Sequence, residues 1–579
     1  MSEEIISNEL TDVIEPRTAS RPKSAWRRAF LLVALAATAI VTPMFFLGDP
    51  SGHDFQFHLA SWVDVAGHWR EGILYPRWAE WANWGYGEPR FIFYPPASWI
   101  FGAALGSVLP WVAAPVAYIW FTLLASGMAM WRLARDWLSP PEAAAAAVFF
   151  AANPYNLLVV YYRSDFAELL AGALFPLLIL GVLRIMREGW ARVPFLALVF
   201  AAVWLCNAPA AVVATYSVAL LLVVSAALNR TLRPLISGGV AMAAGFGLAA
   251  FFILPAAWEQ RWVQIAQAVS QNLRVDRNFI FTHAPDPEFL LFNWKVSTLA
   301  LGVMLITGIL AVFVARRRSE FPQVWWVFLV LGIVSALQMF SPTAPLWRFL
   351  PELHFVQFPW RWLNSLTVVF AFFAATAFGA AHKPTSRRQR ALWVAVIVIL
   401  AATAAAIAKD AWWDSDDATD VAYWVQSGDG YEGTDEYMPL GSDRYELPGV
   451  NADSEQPPAQ PVAPFAKFDP ATNTIVPAAG VRLHVEKWTA ERKIFAEESS
   501  VPLQLALRLL EYPAWEAHVD GVHASIASAR KGGEMLLVLP AGAHRVELHF
   551  RRTWDRTAGD LISAISAVGL LVWLRSRRF

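Results

Sequence analysis

Several apolar blocks in this 579-residue chain approach or reach the roughly 20 residues at which a helix crosses a bilayer core. A backbone placed in lipid must satisfy its own hydrogen bonds, so continuous blocks of this kind fold as helices that bundle with one another. Composition points the same way. Hydrophobic residues make up 56% of the chain and charged residues 16%, against about 25% charged in soluble domains. A soluble enzyme, a disordered chain and a fibrous protein are thereby excluded. The net charge of −1 leaves no basic field that would gather nucleic acid. With Cys206 the single cysteine, no intrachain disulfide can form. The 29 Trp and 38 Phe cluster at the ends of apolar runs, as interfacial belts do, although helix packing explains them equally well.

Hydropathy and length predict about twelve spans, at 29–46, 114–131, 143–160, 169–183, 195–206, 210–227, 236–254, 298–314, 324–339, 363–381, 391–407 and 558–574. The first reads as a signal anchor. Arg21, Lys23, Arg27 and Arg28 before it place the N-terminus in the cytoplasm. If each span crosses once, Arg132/Arg135, Arg184/Arg187/Arg192, Arg230/Arg233, Arg316/Arg317/Arg318, Lys383/Arg387/Arg388/Arg390 and Arg575/Arg577/Arg578 all fall in cytoplasmic loops. Counting the short apolar stretch 96–110 as a crossing would invert every later loop, so it reads as a juxtamembrane or re-entrant helix. The expected architecture is a polytopic α-helical membrane protein. It has a basic cytoplasmic tail (1–28), a transmembrane domain (29–408) with a first outer loop (47–112), an extracytoplasmic β-sandwich-like insert (409–555), and a last helix with a basic tail (558–579). In the insert, the alternation of 545–550 sets Val546, Leu548 and Phe550 on one face, and Asp520-Gly521 reads as a hairpin turn.

The residues able to do chemistry lie in the outer loops. Asp54 and His58 share a helical face, where a membrane-surface carboxylate serves as a general base or a metal ligand, or simply caps the helix. His53 and His58 offer a weaker zinc pattern. Arg163, Asp165 and Glu168 follow in the next loop. Arg163 has the planar fork that binds phosphate, and the two carboxylates can hold a metal, accept a proton or pair with the arginine. Glu259 begins the middle loop, and Arg361 stands between Trp360 and Trp362 at a span entrance, suited to lipid phosphate or to interfacial anchoring. The acidic stretch 431–439 reads as a surface loop. The spans themselves are almost free of charge, which favours interfacial chemistry over a charge-lined transport path.

The stretches GHDFQFHL, GYGEPRFIFYPP, NPYNLLVVYYRSDFAELLA, FVQFPWRWLN, GTDEYMP and YPAWEAHVDG…LPAGAHRVELHF resemble a bacterial membrane family labelled 6-pyruvoyl-tetrahydropterin synthase-related. Its architecture is similar to that of YfhO-like membrane proteins, and the layout resembles the GT-C class of glycosyltransferases. A polytopic chain without a compact histidine triad is a poor pterin synthase. Carried over by motif position, Asp54 resembles the first-loop acidic residue of that class, Asp165 with Glu168 nearby the second-loop one, and Glu259 a third.

The resemblance implies transfer of a sugar from a polyprenyl-phosphate carrier to an extracytoplasmic glycan or protein acceptor, in a bacterial plasma membrane, with both termini cytoplasmic. Asp54, Asp165 and Glu168 would be catalytic, and His58, Arg163, Glu259 and Arg361 would bind substrate. A Mg2+ or Mn2+ ion, if used, would sit on Asp54 and Asp165. Membrane lipid is a partner and nucleic acid is not. Two rivals stay open: a transporter of lipid-linked sugar or polymer, and a non-catalytic envelope-assembly protein whose insert binds partners.

Overall fold

The computed structural model describes residues 23–380, 398, 401–448, 463–469, 474–478, 480–527 and 531–576. Among them, eight helices are long and apolar enough to cross a membrane, or ten if each of two bent pairs is one span. The expected twelve are therefore not reached. Two reasons are visible. The span expected at 391–407 and the basic loop 383–390 lie mostly outside the described residues. The expected spans 169–183 and 195–206 fall within one 41-residue helical stretch, Phe166–Cys206. That stretch doubles back at Gly189, whose φ of +58° suits glycine, so that a Cβ on Gly181 would touch Leu196. The bent pairs are Arg233–Leu248 with Ala250–Trp262, at 72°, and Pro322–Leu337 with Ser341–Phe349, at 94°. The stretch 96–110 forms a short apolar helix, Pro96–Val108.

Burial separates inner from outer helices. Pro359–Gly379 is 89% buried over its apolar window, whereas Trp554–Ser576 is 11% buried and exposes Leu561, Ile565, Val568 and Leu571. Apolar side chains facing outward from a helix of that length are what lipid, not water, stabilises.

The arginine-bearing turns gather at one end of the bundle. Arg132 and Arg184 both pair with Asp136, and Arg317 reaches Glu142 at 2.7 Å and the Thr376 carbonyl at 2.8 Å. Glu142 begins the helix Pro140–Arg163 and Thr376 lies near the end of Pro359–Gly379, so Arg163 and Arg361 stand at the opposite end.

That opposite end carries the β-rich region. Two antiparallel five-stranded sheets face each other. One has the order Ile526–Ala527, Glu534–Leu539, Leu503–Leu510, Phe465–Asp469, Thr474–Val476. The other has the order Arg482–Thr489, Arg492–Ser499, Gly542–Phe550, Trp515–Val519, Val522–Ala524. Val546 and Leu548 are fully buried, and Phe550 stacks on Tyr512. Asp520 and Gly521 take φ of +51° and +81° between two paired strands, the hairpin turn read from the Asp-Gly pair.

The sandwich core is not closed on itself. Trp78, Tyr86, Ile92 and Phe93 of the first loop pack into it alongside Phe495, Leu507 and Trp515. Arg77 donates its backbone N–H to Glu491, and Leu510 donates to the Tyr86 carbonyl. Sandwich and first loop therefore form one packed unit above the helices.

Candidate functional site

Asn153 caps the helical turn Pro154–Leu158, accepting from the Tyr155 and Asn156 amides, and the chain continues into a π-helical turn, Val159–Arg163. A π turn widens the helix and re-aims its side chains, a distortion frequent at functional sites. Ser164 then adopts a left-handed conformation (φ +50°), and Asp165 caps the next helix by accepting from the Glu168 amide at 2.9 Å. This sharp reversal is held by the first loop. Asp54 donates its amide to the Arg163 carbonyl (2.9 Å), and Gly52 donates to the Ser164 hydroxyl (3.1 Å). A Cβ on Gly52 would lie 2.5 Å from the Tyr162 carbonyl, so only glycine permits this approach.

The reversal brings Asp54, His58, Arg163, Asp165, Glu168 and Arg361 into one cluster. Asp54 occupies the position before the helix Phe55–Arg70, but its side chain makes no cap hydrogen bond. Its Oδ2 accepts instead from Arg163, through Nη2 and, at 3.2 Å, Nε. Arg163 Nη2 also lies 3.5 Å from Asp165. Asp165 faces His58 Nε2 at 3.5 Å and Arg361 at 3.3 Å. Arg361 Nε donates to Glu168 at 2.8 Å, and its Nη1 donates to the Val356 carbonyl and to Gln357. Tyr155 and Asn364 complete Glu168, with Asn364 at 2.9 Å. The Phe358 ring lies 5.0 Å from both guanidinium carbons, and Trp360 covers Arg163 at 5.5 Å.

Exposure divides the three carboxylates. The Asp54 side chain is 32% exposed, against 4% for Asp165 and 1% for Glu168. Burial pushes the Asp165 carboxyl up, but His58, Arg163 and Arg361 outweigh it and hold the pKa well below the usual carboxylate range. Asp165 is therefore an ionised fixture and a poor base. Burial, with Arg163 adding to it, lowers the pKa of His53, whose ring meets Phe292 edge-on. Asp54 is the carboxylate of this cluster most open to an incoming group.

The sequence motifs did not single out Tyr155, Gln357, Phe358 or Asn364, although the last three lie within four residues of Arg361, which did signal the site. Glu259 is not brought to the cluster. Arg556 binds both of its oxygens, at 2.7 and 2.8 Å, and Tyr512 and Thr553 donate as well. These contacts make it a tie between the middle loop, the sandwich and the last helix. The stretch 431–439 is likewise no free surface loop. The Tyr431 hydroxyl donates to Asp64, and Thr434 binds Glu88, which in turn pairs with the buried Arg90 at 2.6 Å.

Asp54 and Asp165 do not suit a shared Mg2+ or Mn2+ ion as placed. Arg163 Nη2 contacts both carboxylates and occupies the position a bridging cation would need.

A second acidic group flanks the site. Asp49 and Asp414 pair backbone to backbone, and Asp417 accepts from Ser51 and Gln56. Burial first, then Asp417 and Asp414, push the Asp49 carboxyl up to about 7. Ionising it in the fold is therefore costly. The cost is absent below about pH 3, where folded and unfolded chains are both largely protonated, and complete above pH 7. Asp49→Asn should raise the melting temperature in detergent at pH 8 by several degrees and leave it unchanged near pH 3. Equal effects at the two pH values would refute the assignment.

A family model described as 6-pyruvoyl-tetrahydropterin synthase related domain, membrane protein, matches residues 91–414, a stretch that includes Arg163, Asp165, Glu168, Glu259 and Arg361. No curated protein matches the chain. Among solved structures, the crystal structure of the Archaeoglobus fulgidus oligosaccharyltransferase in the apo form is similar at 14% identity and a TM-score of 0.36. The likeness covers 69% of this chain and 56% of that one, so the chain spans little more than half its length.

Proposed function

The chain belongs to the 6-pyruvoyl-tetrahydropterin synthase-related family of membrane proteins, and from that premise we propose that it is an integral-membrane glycosyltransferase using a polyprenyl-phosphate-linked sugar. The observation that carries this reading is a part-exposed carboxylate, Asp54, held by Arg163, whose chain neighbour Tyr162 lines an apolar groove. That groove has a volume of about 730 Å³ and runs past Trp294, Leu299, Val303 and Ile306 towards Ala406 and Ile407. Tyr162, the neighbour of Arg163, lines it together with Lys295 and Asp410. In this reading a prenyl chain lies along this wall, and its phosphate passes from the end of the groove at Tyr162 and Lys295 to the adjacent Arg163.

A phosphate bound to Arg163 competes with Asp54 for the same guanidinium. Its arrival frees the Asp54 carboxylate, which takes the proton of the acceptor hydroxyl or amide. The acceptor oxygen or nitrogen attacks the anomeric carbon, the bond from that carbon to the phosphate oxygen breaks, and polyprenyl phosphate leaves with the electron pair. The configuration inverts. Asp165 and Glu168 hold Arg163 and Arg361 in place, and the sandwich packed over the first loop helps to select the acceptor.

The site faces the outside in this reading. The basic turns around Arg132, Arg184 and Arg317 occupy the opposite end of the bundle, where cytoplasmic loops carry their excess of arginine. The membrane is the plasma membrane of a bacterium.

The test compares extracytoplasmic glycans of a deletion strain with those of the strain complemented by the wild-type chain. One sugar should vanish on deletion and return on complementation, with the lipid-linked donor accumulating on its outer leaflet in the deletion strain. Accumulation on the inner leaflet would instead favour the transporter.

A further inference from the structure

Beyond the cluster at Asp54, His68, Glu71 and Glu80 are, among the described residues, the one group of three whose ligand atoms converge within 4.8 Å. The group lies where the helix Phe55–Arg70 ends and the sandwich begins. The Ala490 amide donates to Glu71 Oε2 at 3.2 Å, and Lys493 donates to Glu80 Oε1 at 3.0 Å.

The imidazole is oriented from behind. Its Nε2 lies 3.0 Å from Asp64 Oδ1 and 3.1 Å from the Trp78 carbonyl oxygen, two acceptors, so this nitrogen carries a proton. Asp64 is fully buried, and its Oδ1 has no other partner. Its Oδ2 accepts from Tyr431 and the Trp81 amide. A carboxylate on one ring nitrogen that fixes the tautomer and offers the other to an ion is the usual support of a metal-binding histidine. The other nitrogen, Nδ1, faces Glu71 Oε2 at 3.9 Å. That is too long for a hydrogen bond. It matches two donors that each stand about 2.0–2.2 Å from one ion.

Charge agrees with geometry. Asp64, Glu71 and Glu80 bring three negative charges to the junction and Lys493 brings one positive, with Arg77 and Glu491 paired through a backbone amide beside them. When the ion takes the place of a proton on Nδ1 the ring is neutral, and the excess of two negative charges is what one dication balances.

We propose that His68 Nδ1 and the carboxylates of Glu71 and Glu80 bind a divalent metal ion of the Zn2+ type, which fixes the end of the first-loop helix and the two carboxylates that Ala490 and Lys493 of the sandwich reach. Imidazole with carboxylates suits Zn2+ better than Mg2+, which prefers oxygen alone. The ion is structural and stands apart from the transfer chemistry, since none of its ligands belongs to the Asp54 cluster.

The test uses the full-length protein in detergent, stripped with chelator and titrated with ZnCl2 alone. One equivalent should bind, raise the melting temperature by several degrees and protect the sandwich from protease. Glu71→Gln, which keeps an oxygen to accept from the Ala490 amide, should abolish all three effects. Asp64→Asn should weaken binding about 10–100-fold. Asp54→Asn should leave binding intact. No saturable binding, or binding unchanged in Glu71→Gln, would overturn the proposal and leave a proton on Nδ1 as the occupant.

Discussion

Replacing Asp54 by Asn should lower sugar transfer about 10²–10⁴-fold, the contribution of a positioned general base, while the protein melts within a few degrees of wild type. The amide keeps the shape of the carboxylate and can still accept from Arg163, and the side chain is part-exposed, so little structure is lost. Asp165→Asn offers the contrast. Its carboxylate is buried among His58, Arg163 and Arg361, and its low pKa means that it stabilises the fold at all pH values above the ordinary carboxylate range. That stabilisation disappears as the pH falls through the folded pKa. Asp165→Asn should therefore lose stability and activity together at pH 7, whereas Asp54→Asn loses activity alone. Turnover of a polyprenyl-phosphate sugar and thermal melts on the same preparations separate the two. Wild-type turnover by Asp54→Asn would remove it from the chemistry.

The largest loss of stability is expected from Arg361→Ala, at about 3–5 kcal/mol, because the truncation strands two buried carboxylates. Glu168 would keep Tyr155 and Asn364, and Asp165 would keep Arg163, His58 and the Glu168 amide, but neither would keep the guanidinium that joins them. Lysine should rescue part of the loss, since its point charge cannot bind Glu168, Asp165, Gln357 and the Val356 carbonyl together. Because Arg361 and Glu168 share one network, Arg361→Met combined with Glu168→Met should cost less than the sum of the two changes. Thermal unfolding in detergent measures each term. A loss for Arg361→Ala no greater than that for the exposed Arg545→Ala would show that the network contributes little.

The sequence displayed the spans and the sandwich because their information is local. Apolar length marks the helices, period-two alternation buried Val546 and Leu548, and the Asp-Gly pair marked its own turn. It also displayed the charged residues of the cluster, which stand out in apolar surroundings. It did not display their pairing. Arg163 could equally have met phosphate or solvent, and its choice of Asp54, 109 residues away, depends on the π turn and left-handed Ser164 that no propensity announces. Glu259 was misplaced for the same reason, since its partner Arg556 lies 297 residues further on. The Asp64, His68, Glu71 spacing was readable at helical intervals, but the convergence of Glu80 and the approach of Lys493 were not.

The long separations have a consequence for biosynthesis. Glu168 waits 193 residues for Arg361, and Ser51 waits 366 for Asp417. A ribosome that has delivered the first half of the chain to the membrane has thus delivered Asp165 and Glu168 before the arginine that joins them exists. Until translation passes residue 361, those side chains must stay hydrated at the lipid boundary or be shielded by the insertion machinery. Completion of the cluster is then a late event, and a chain truncated before Trp413 would hold its early helices yet never close the junction that Asp49 and Asp414 seal.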